Sequence, residues 1–223
     1  MGVTAPAKYS SDKLWNYEVG VKSYFLDRMF YAELAFYRID WSNQQVSVTD
    51  PGGTYVYIAN AGKSYVNGVE FQINARPSDR LSFNLGVTYT DSRLSEDMPA
   101  TAEVSGFDGD RIPYTAKWSF AGQAQYEVPI GASTTGYAGA NFNYRGASYT
   151  NFNALADDYQ KLEDYLLIGV RAGVRMESWD LGLFRGQSDG RGSPKSGLRV
   201  TGDGYRVYTT RPRTIGVRAS AHF

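Results

Sequence analysis

Apolar and polar residues alternate most regularly at the C-terminal end of the sequence, over residues 214–223. Successive side chains of a β-strand point to opposite faces, so this alternation predicts a strand with one apolar and one polar face. In a membrane barrel, the apolar face of such a strand faces lipid and the polar face lines a wet interior. The apolar positions are Ile215, Val217, Ala219, Ala221 and Phe223.

The same two-residue period recurs along the sequence and predicts about nine strands. One of them places Arg171, Arg175 and Glu177 on the face opposite a run of aliphatic residues. Three charges on one face exclude a strand buried in a small soluble core, because unpaired charge is costly to bury. The predicted strands cover residues 14–24, 29–47, 55–76, 81–93, 115–128, 135–148, 165–177, 179–185 and 212–223.

The strand at 29–47 leaves one question open. Glu33 and Arg38 fall on opposite faces of it, so either orientation turns one charge toward the apolar side. Such a charge is acceptable only near the membrane interface, where its head can reach water.

The links between predicted strands alternate strictly between short and long. Short links lie at 26–28, 76–80, 129–133 and 177–178, and long links at 42–62, 94–114, 146–164 and 186–211. This order is typical of an up-and-down barrel with tight periplasmic turns and extended outer loops, whereas a soluble β-sandwich would mix the lengths. We therefore expect an all-β fold: the portion of an antiparallel up-and-down transmembrane β-barrel with about nine strands.

Composition is consistent with this architecture. The sequence has 18 Tyr, 11 Phe, 4 Trp, 24 Gly and no Cys. Its mean hydropathy is −0.42, which does not argue against a barrel, because a spanning strand shows an apolar residue to lipid only at every second position. The formal net charge is +0, so no basic surface indicates a nucleic-acid partner.

No residue pattern supports catalysis, a cofactor or a metal site. His222 is the only histidine, which excludes a catalytic triad and a multi-histidine metal site. Asp108 and Asp110 could form half of a calcium loop but lack the further acidic spacing of an EF-hand. The glycine-rich stretch 186–192 lacks the Gly-Lys-Ser/Thr of a phosphate-binding loop. The charged stretch 157–164 is interpreted as a solvated outer loop.

Aromatic residues fall into two groups. Rings near strand ends are expected to form the two girdles of a barrel, and they are Trp15, Tyr17, Trp118, Tyr126, Tyr144 and Trp179. Rings in the long loops could help to gather a ligand, and they are Tyr149, Phe152, Tyr159, Tyr205 and Tyr208. The sequence assigns no ligand-binding site among them, so the ligand-binding residues stay unknown at this point.

Several phrases resemble the C-terminal part of the barrel of TonB-dependent outer-membrane receptors. They include Asn-Ala-Gly at 60–62, Asn-Gly-Val-Glu at 67–70 and Gly-Asp-Arg-Ile-Pro-Tyr at 109–114. The strand-turn-strand phrases at 14–22, 25–27 and 36–41 and the ending 211–214 followed by Phe223 complete the resemblance. In this order the phrases are jointly specific and cover nearly the whole sequence.

The resemblance implies an outer-membrane location and TonB-dependent uptake of a scarce nutrient, such as an iron–siderophore complex. It also implies that Phe223 is part of the signal read by the barrel insertion machinery, and that outer-membrane lipid surrounds the barrel. Residues 1–13 are then an N-terminal extension, and 14–223 the C-terminal part of the receptor barrel. The family pattern breaks after Phe184 at 185–192, so we expect residues 186–200 to be poorly ordered.

Family members carry a plug domain and further strands that this sequence does not match, and their barrels contain about 22 strands. An odd number of antiparallel strands cannot close without a parallel seam, and open edges would expose unpaired backbone groups to hydrocarbon. We therefore expect a receptor fragment that aggregates when expressed alone and that would engage the TonB system only in a full-length form. The alternatives are a small passive porin or structural barrel, and a soluble β-protein such as a lectin-like sandwich.

Overall fold

The computed structural model describes residues 9–49, 56–60, 62–102, 105–152, 154, 159–188, 195–201, 204–209 and 213–222. At residues 49, 187, 188, 195–201 and 204–209 only the backbone is described. Phe223, to which the resemblance assigns a role in barrel insertion, lies outside the described residues.

The described residues form β-strands joined by turns and loops. The strands are β1 (Lys13–Phe25), β2 (Phe30–Ser42), β3 (Gln45–Thr49), β4 (Val56–Asn60), β5 (Ser64–Ser78), β6 (Leu81–Leu94), β7 (Trp118–Pro129), β8 (Thr135–Arg145), β9 (Ser148–Tyr149), β10 (Lys161–Leu162), β11 (Tyr165–Arg175), β12 (Trp179–Ser188), β13 (Lys195–Thr201), β14 (Gly204–Thr209) and β15 (Thr214–Ala221). In this part of the chain no helix is long and apolar enough to cross a membrane.

Nine of these strands form one sheet in the order β1-β2-β5-β6-β7-β8-β11-β12-β15. Every neighbouring pair is antiparallel, and each strand pairs with the next sheet strand along the chain. This is the predicted up-and-down arrangement. The other six strands form three short two-stranded ladders within the long links. We call the end of the sheet with the short links the turn end and the opposite end the loop end.

The registers give the sheet two chemically distinct faces, because directly paired residues of an antiparallel sheet lie on the same side. We define the apolar face as the side of the sheet on which the registers place one apolar residue from each strand, in sheet order Val19, Leu34, Phe71, Val87, Ala124, Ala140, Val170, Leu183 and Val217, together with every second residue from each of them. The polar face holds the alternate positions. Val217 is 74% exposed and Val19 is 69% exposed, so no other part of the described chain covers the apolar face.

The ambiguous strand is resolved by its position in the sheet. Glu33 lies on the polar face, where its Oε1 is 2.7 Å from the Nζ of Lys22. Arg38 lies at an apolar-face position but near the loop end, and its Nη2 is 2.8 Å from Asp40 Oδ1. The guanidinium is therefore paired above the apolar band, as a charge near the interface should be.

Two predicted strands were too long. Residues 29–47 divide into β2 and β3 at Asn43, whose φ of 60° takes the chain out of the extended conformation. Residues 55–76 divide into β4 and β5 near Gly62, whose φ of 131° is favourable only for glycine. At this break the Nε2 of buried Gln44 donates to Ser64 Oγ at 2.6 Å. Both long strands therefore bend into a hairpin above the sheet.

Two further boundaries differ from the prediction. The strand placed at 165–177 ends at Arg175, so Glu177 lies exposed in the short turn instead of facing inward. The strand placed at 179–185 continues to Ser188, and residues 195–200 belong to β13. The expectation of poor order at 186–200 stays a prediction, and residues 189–194 lie outside the described part.

Buried side chains are concentrated above the sheet at the loop end. Leu94, Val48 and Leu162 are 0%, 1% and 7% exposed, and they come from three different long links or strand ends. A Cβ on Gly106 would lie 2.6 Å from Leu94 Cδ1 and 3.3 Å from Phe152 Cβ, so this glycine permits close packing of two loops. The loop end thus carries a small core of its own.

Candidate functional site

A polar network crosses four strands on the polar face. Arg171 of β11 donates from Nη2 to Gln125 Oε1 of β7 at 2.8 Å. Gln125 in turn donates from Nε2 to Glu127 Oε1 at 2.7 Å, and Arg175 donates to the same carboxylate oxygen at 3.4 Å. Arg175 Nε also lies 3.6 Å from Asp180 Oδ2 on β12. The polar face therefore carries paired charges, as expected of a wall that meets water.

Tyr137 links this network across the sheet. Its hydroxyl donates to Asp180 Oδ1 at 2.8 Å, and the Arg175 guanidinium carbon lies 5.6 Å from the centre of its ring. Tyr137 belongs to β8 and Asp180 to β12, so the ring spans the intervening strand β11. Two glycines make room for it: a Cβ on Gly173 would meet its hydroxyl at 2.6 Å, and one on Gly182 at 2.5 Å.

The apolar face ends in aromatic bands at both margins. At the loop end the rings of Tyr89, Trp118, Phe120 and Tyr144 follow one another with centroid separations of 4.8, 5.7 and 5.3 Å. At the turn end Phe25, Phe30 and Phe83 follow at 5.4 and 6.3 Å. The six residues predicted to form girdles all lie at apolar-face positions. Such bands mark the two headgroup levels of a membrane.

The distance between the bands agrees with the thickness of a membrane. Trp118 and Tyr126 lie at opposite ends of β7. Eight residues of strand span about 27 Å along the strand, and a tilt of about 40° reduces this to about 20 Å. With the lengths of the rings added, the height is close to the apolar band of about 25 Å that outer-membrane barrels show.

At the loop end, an arginine and two tyrosines from different links come together. Tyr149 of β9 stacks on Tyr159 with ring centroids 5.2 Å apart and planes 15° apart. The guanidinium carbon of Arg111 lies 5.5 Å from the centre of the Tyr149 ring. Burial raises the pKa of Tyr159, and the neighbouring Tyr149 acts in the same direction. We call Arg111, Tyr149 and Tyr159 the loop-end cluster.

Backbone hydrogen bonds hold this cluster in place. Tyr114 N–H donates to Tyr149 O at 2.7 Å, and Arg111 Nη2 donates to Thr115 O at 3.3 Å. The two links are therefore fixed to each other. A cation beside a tyrosine stack could contact an anionic aromatic ligand through charge, hydrogen bonding and ring stacking. The sequence analysis named Tyr149 and Tyr159 as possible ligand contacts but not Arg111. Arg111 was noted only as part of the motif at 109–114, and that motif does not predict its contact with the Tyr149 ring.

The residues that the sequence analysis weighed for catalysis or metal binding do not lie together in the structure. The side chain of His222 is exposed at the turn end, and its backbone N–H donates to the backbone oxygen of Ser178 at 3.0 Å. Asp110 Oδ2 accepts from the Phe107 N–H at 2.9 Å, so this carboxylate shapes its own loop. Among the described residues, no group of three or more His, Cys, Asp or Glu side chains could hold a metal ion.

The sequence analysis also named residues in the long loops. Some of these lie outside the described residues, and others are exposed to solvent. The side chains of Tyr205 and Tyr208 and the whole of 155–158 and 189–194 lie outside the described residues. Of the charged stretch 157–164, Lys161 Nζ lies 2.8 Å from Glu163 Oε2, and both side chains are at least half exposed. This carboxylate raises the pKa of Lys161. The charged side chains of Lys161 and Glu163 are therefore solvated, as interpreted, whereas Leu162 between them is buried.

The arrangement of strands and faces can be compared with known proteins. Residues 7–190 match the family model described as TonB dependent receptor-like, beta-barrel. The probable TonB-dependent siderophore receptor PiuA of Acinetobacter baumannii is 30% identical over 117 residues, which cover 50% of this chain and 15% of that protein.

Three solved structures share the fold. The ferric yersiniabactin uptake receptor FyuA of Yersinia pestis superposes with a TM-score of 0.74 at 16% identity, covering 95% of this chain and 30% of that one. The ferric-catecholate import receptor Fiu of E. coli K12 gives 0.71 at 20% identity, with coverages of 96% and 28%. The ferric preacinetobactin receptor BauA of A. baumannii gives 0.65 at 20% identity, with coverages of 99% and 32%.

The chain thus spans about a third or less of the length of these proteins. Members of the matched family are receptors and transporters of the outer membrane. The family model covers well over half of the chain, and the topology, the two faces and the aromatic bands agree with it. The chain belongs to the TonB-dependent receptor family and forms part of its β-barrel.

Proposed function

We propose that the chain forms part of the wall of an outer-membrane receptor that takes up an iron–siderophore complex. The observation that carries the proposal is the polar network of Gln125, Glu127, Arg171, Arg175 and Asp180 opposite an uncovered apolar face. A sheet of this kind separates hydrocarbon from water. The names of PiuA, FyuA and Fiu state a siderophore or a ferric chelate as the ligand, which suggests the substrate class.

The loop-end cluster is proposed as the part of this chain that first contacts the ligand. Many ferric chelates are anionic and aromatic, so a guanidinium with two stacked tyrosines has suitable chemistry. Arg111 contributes the positive charge, while Tyr149 and Tyr159 offer ring faces and hydroxyl groups. Neither the cluster nor the polar network contains the nucleophile–base pair of a covalent catalyst, and we propose that the chain is not an enzyme.

The partners proposed for the chain follow from the family. Residues 14–223 would form the barrel part and residues 1–13 an extension ahead of it. Outer-membrane lipid would surround the apolar face, Phe223 would be read by the barrel insertion machinery, and the TonB system would act on the full-length receptor.

The test is an uptake experiment in the natural host. The gene region that encodes this chain is deleted, and growth is measured with a panel of ferric siderophores as the only iron source. We expect growth to fail on at least one siderophore and to return with the intact gene. Uptake of the radioactive iron complex should also stop when the proton-motive force is collapsed with an uncoupler.

A small passive porin is the alternative that this experiment tests. A porin would let hydrophilic solutes pass in proportion to their size, and an uncoupler would leave that passage unchanged. Growth on every ferric siderophore after deletion, together with a loss of passive solute entry, would overturn the receptor proposal in favour of the porin.

A further inference from the structure

A long concave surface of the described chain lies on the apolar face, away from the loop-end cluster. It is a groove of about 930 Å³ over β6, β7, β8 and β11. Ala124 and Ala140 pair directly with each other, and their short side chains form the base of the groove. Larger apolar side chains rise around this base, and they are Phe83, Leu85, Phe120, Phe142 and Ile168.

The groove lies between the two aromatic bands. Phe83 borders it at the turn end, and Trp118 and Tyr144 border it at the loop end. A groove at this depth is surrounded by hydrocarbon. Its lining also includes Asn84, Gln123 and Asn141, but the registers place these three amides at polar-face positions, so the surface of the groove is mainly apolar. With rings at both ends and apolar side chains along it, the groove suits a flexible linear hydrocarbon.

Positive charge lies at the loop-end mouth of the groove. Lys117 precedes Trp118, and its Nζ lies 3.5 Å from Asp91 Oδ1. Arg93 Nε lies 3.2 Å from Asp91 Oδ2, so two cations share one carboxylate. Asp91 occupies an apolar-face position two residues beyond Tyr89, which brings both cations above the aromatic band on the lipid side.

The far side of the mouth has a different character. There Tyr144 lies near the carboxylate of Asp164, which carries negative charge. The uncompensated positive charge therefore lies on the side of Lys117 and Arg93, next to the ring of Trp118. Basic side chains just above the hydrocarbon level attract anionic lipid headgroups.

We propose that this groove is a binding site for one acyl chain of an anionic, phosphate-bearing membrane lipid. The hydrocarbon lies over Ala124 and Ala140, and the phosphate lies at the headgroup level beside Lys117 and Arg93. The site is independent of the ferric ligand, and it holds the lipid more firmly than the surrounding bilayer does.

The test uses the intact receptor that contains this chain, isolated and reconstituted in phosphatidylethanolamine vesicles. A small fraction of phosphatidylglycerol with brominated acyl chains is added, since bromine quenches tryptophan and Trp118 borders the groove. A Trp118→Phe receptor gives the signal of the other tryptophans, which is subtracted. Specific binding quenches Trp118 at a lower fraction of brominated lipid than random contact does.

Ala140→Phe fills the groove with an apolar ring and should return quenching of Trp118 to the random level. Ala172→Phe is the matched control, because Ala172 lies on the same face but outside the groove. Migration on an unheated gel checks that each receptor is folded, and the smaller Ala124→Leu substitution serves as a second variant. Equal quenching in wild type and Ala140→Phe would overturn the proposal.

The headgroup is tested with Lys117→Gln. We expect the affinity for brominated phosphatidylglycerol to fall about fivefold, because one basic residue near an anionic surface contributes a free energy of that size. The affinity for brominated phosphatidylcholine should not change. If both lipids bind this variant as they bind wild type, the proposed anionic headgroup is wrong. If instead Ala140→Phe separates a cross-linkable dimer, the groove holds a second copy and the proposal fails.

Discussion

Gly182 offers a sharp test of how Tyr137 holds the polar network together. A Cβ at Gly182 would lie 2.5 Å from the Tyr137 hydroxyl oxygen, but its next contacts are ordinary, at 3.4 Å to Ala172 O and 3.6 Å to Tyr137 Cζ. The only group in the way of a Gly182→Ala side chain is thus one hydroxyl. Removing that hydroxyl with Tyr137→Phe should make room for the methyl group.

The magnitudes follow from the contacts. To reach 3.4 Å the hydroxyl must move by about 0.9 Å, which breaks its 2.8 Å hydrogen bond to Asp180. A hydrogen bond to a charged group contributes about 1.5–3 kcal/mol, and we take the lower limit because the pair is only part-buried. Alanine in a strand interior gains about 0.5–1 kcal/mol over glycine. Gly182→Ala should therefore destabilise wild type by about 0.5–1 kcal/mol.

In the Tyr137→Phe background the same substitution should stabilise by about 0.5–1 kcal/mol, because the gain of alanine is no longer opposed. The coupling free energy in this double-mutant cycle is then about 1.5 kcal/mol. The measurement is reversible urea unfolding of the intact receptor in lipid vesicles, followed by tryptophan fluorescence. Gly186→Ala is the matched control, since Gly186 lies on the same face of β12 with no atom within 4 Å of its added Cβ.

A coupling free energy near zero would refute this reasoning. It would mean that the hydroxyl does not fix the ring across Gly182, and that the Tyr137–Asp180 contact does not hold β8 to β12. A large loss of stability with Gly186→Ala would also refute it, because the effect would then come from the backbone of β12 and not from Tyr137.

Three further outcomes are expected. Val170→Arg, at the middle of the apolar face, should destabilise the receptor by about 2–4 kcal/mol in urea unfolding, whereas Thr88→Arg on the polar face should cost much less. Lys161→Met should change the unfolding free energy by less than about 0.5 kcal/mol, since its ion pair with Glu163 is exposed; a larger loss would contradict the solvated reading. A polypeptide of residues 1–223 refolded alone should aggregate because β1 and β15 are unpaired edges, and a heat-modifiable, protease-resistant band on a cold gel would contradict this.

The strands of the sheet were largely predictable because apolar and polar residues alternate along each of them. The strand at 81–93 was predicted within one residue of β6, and the faces of β11 and β15 follow directly from their alternation. A long link was predicted at 42–62, but the predicted strands 29–47 and 55–76 ran past the breaks at Asn43 and Gly62, since alternation continues through the hairpin of β3 and β4 and does not show a reversed backbone angle. A periodic pattern detects extended chain but not the point where it turns.

Contacts between strands were harder to predict than the strands themselves. The polar character of Arg171 and Arg175 was clear from sequence, but their partners on β7 and β12 depend on registers that one sequence does not give. Arg111 was missed for the same reason, because its neighbour Tyr149 comes from another link. The loop-end cluster exists only once the loops are folded against one another.

The regular register of the sheet limits how its gene can change. The strands of the sheet pair residue for residue, with one irregularity between Ala75 and Ser78 at the turn end. Adding or removing one residue inside β11 would move Arg171 and Arg175 from water to hydrocarbon and the aliphatic side chains the other way. Insertions and deletions should therefore survive selection almost entirely in the long links, so the loop end can diversify in length while the strands of the wall keep theirs.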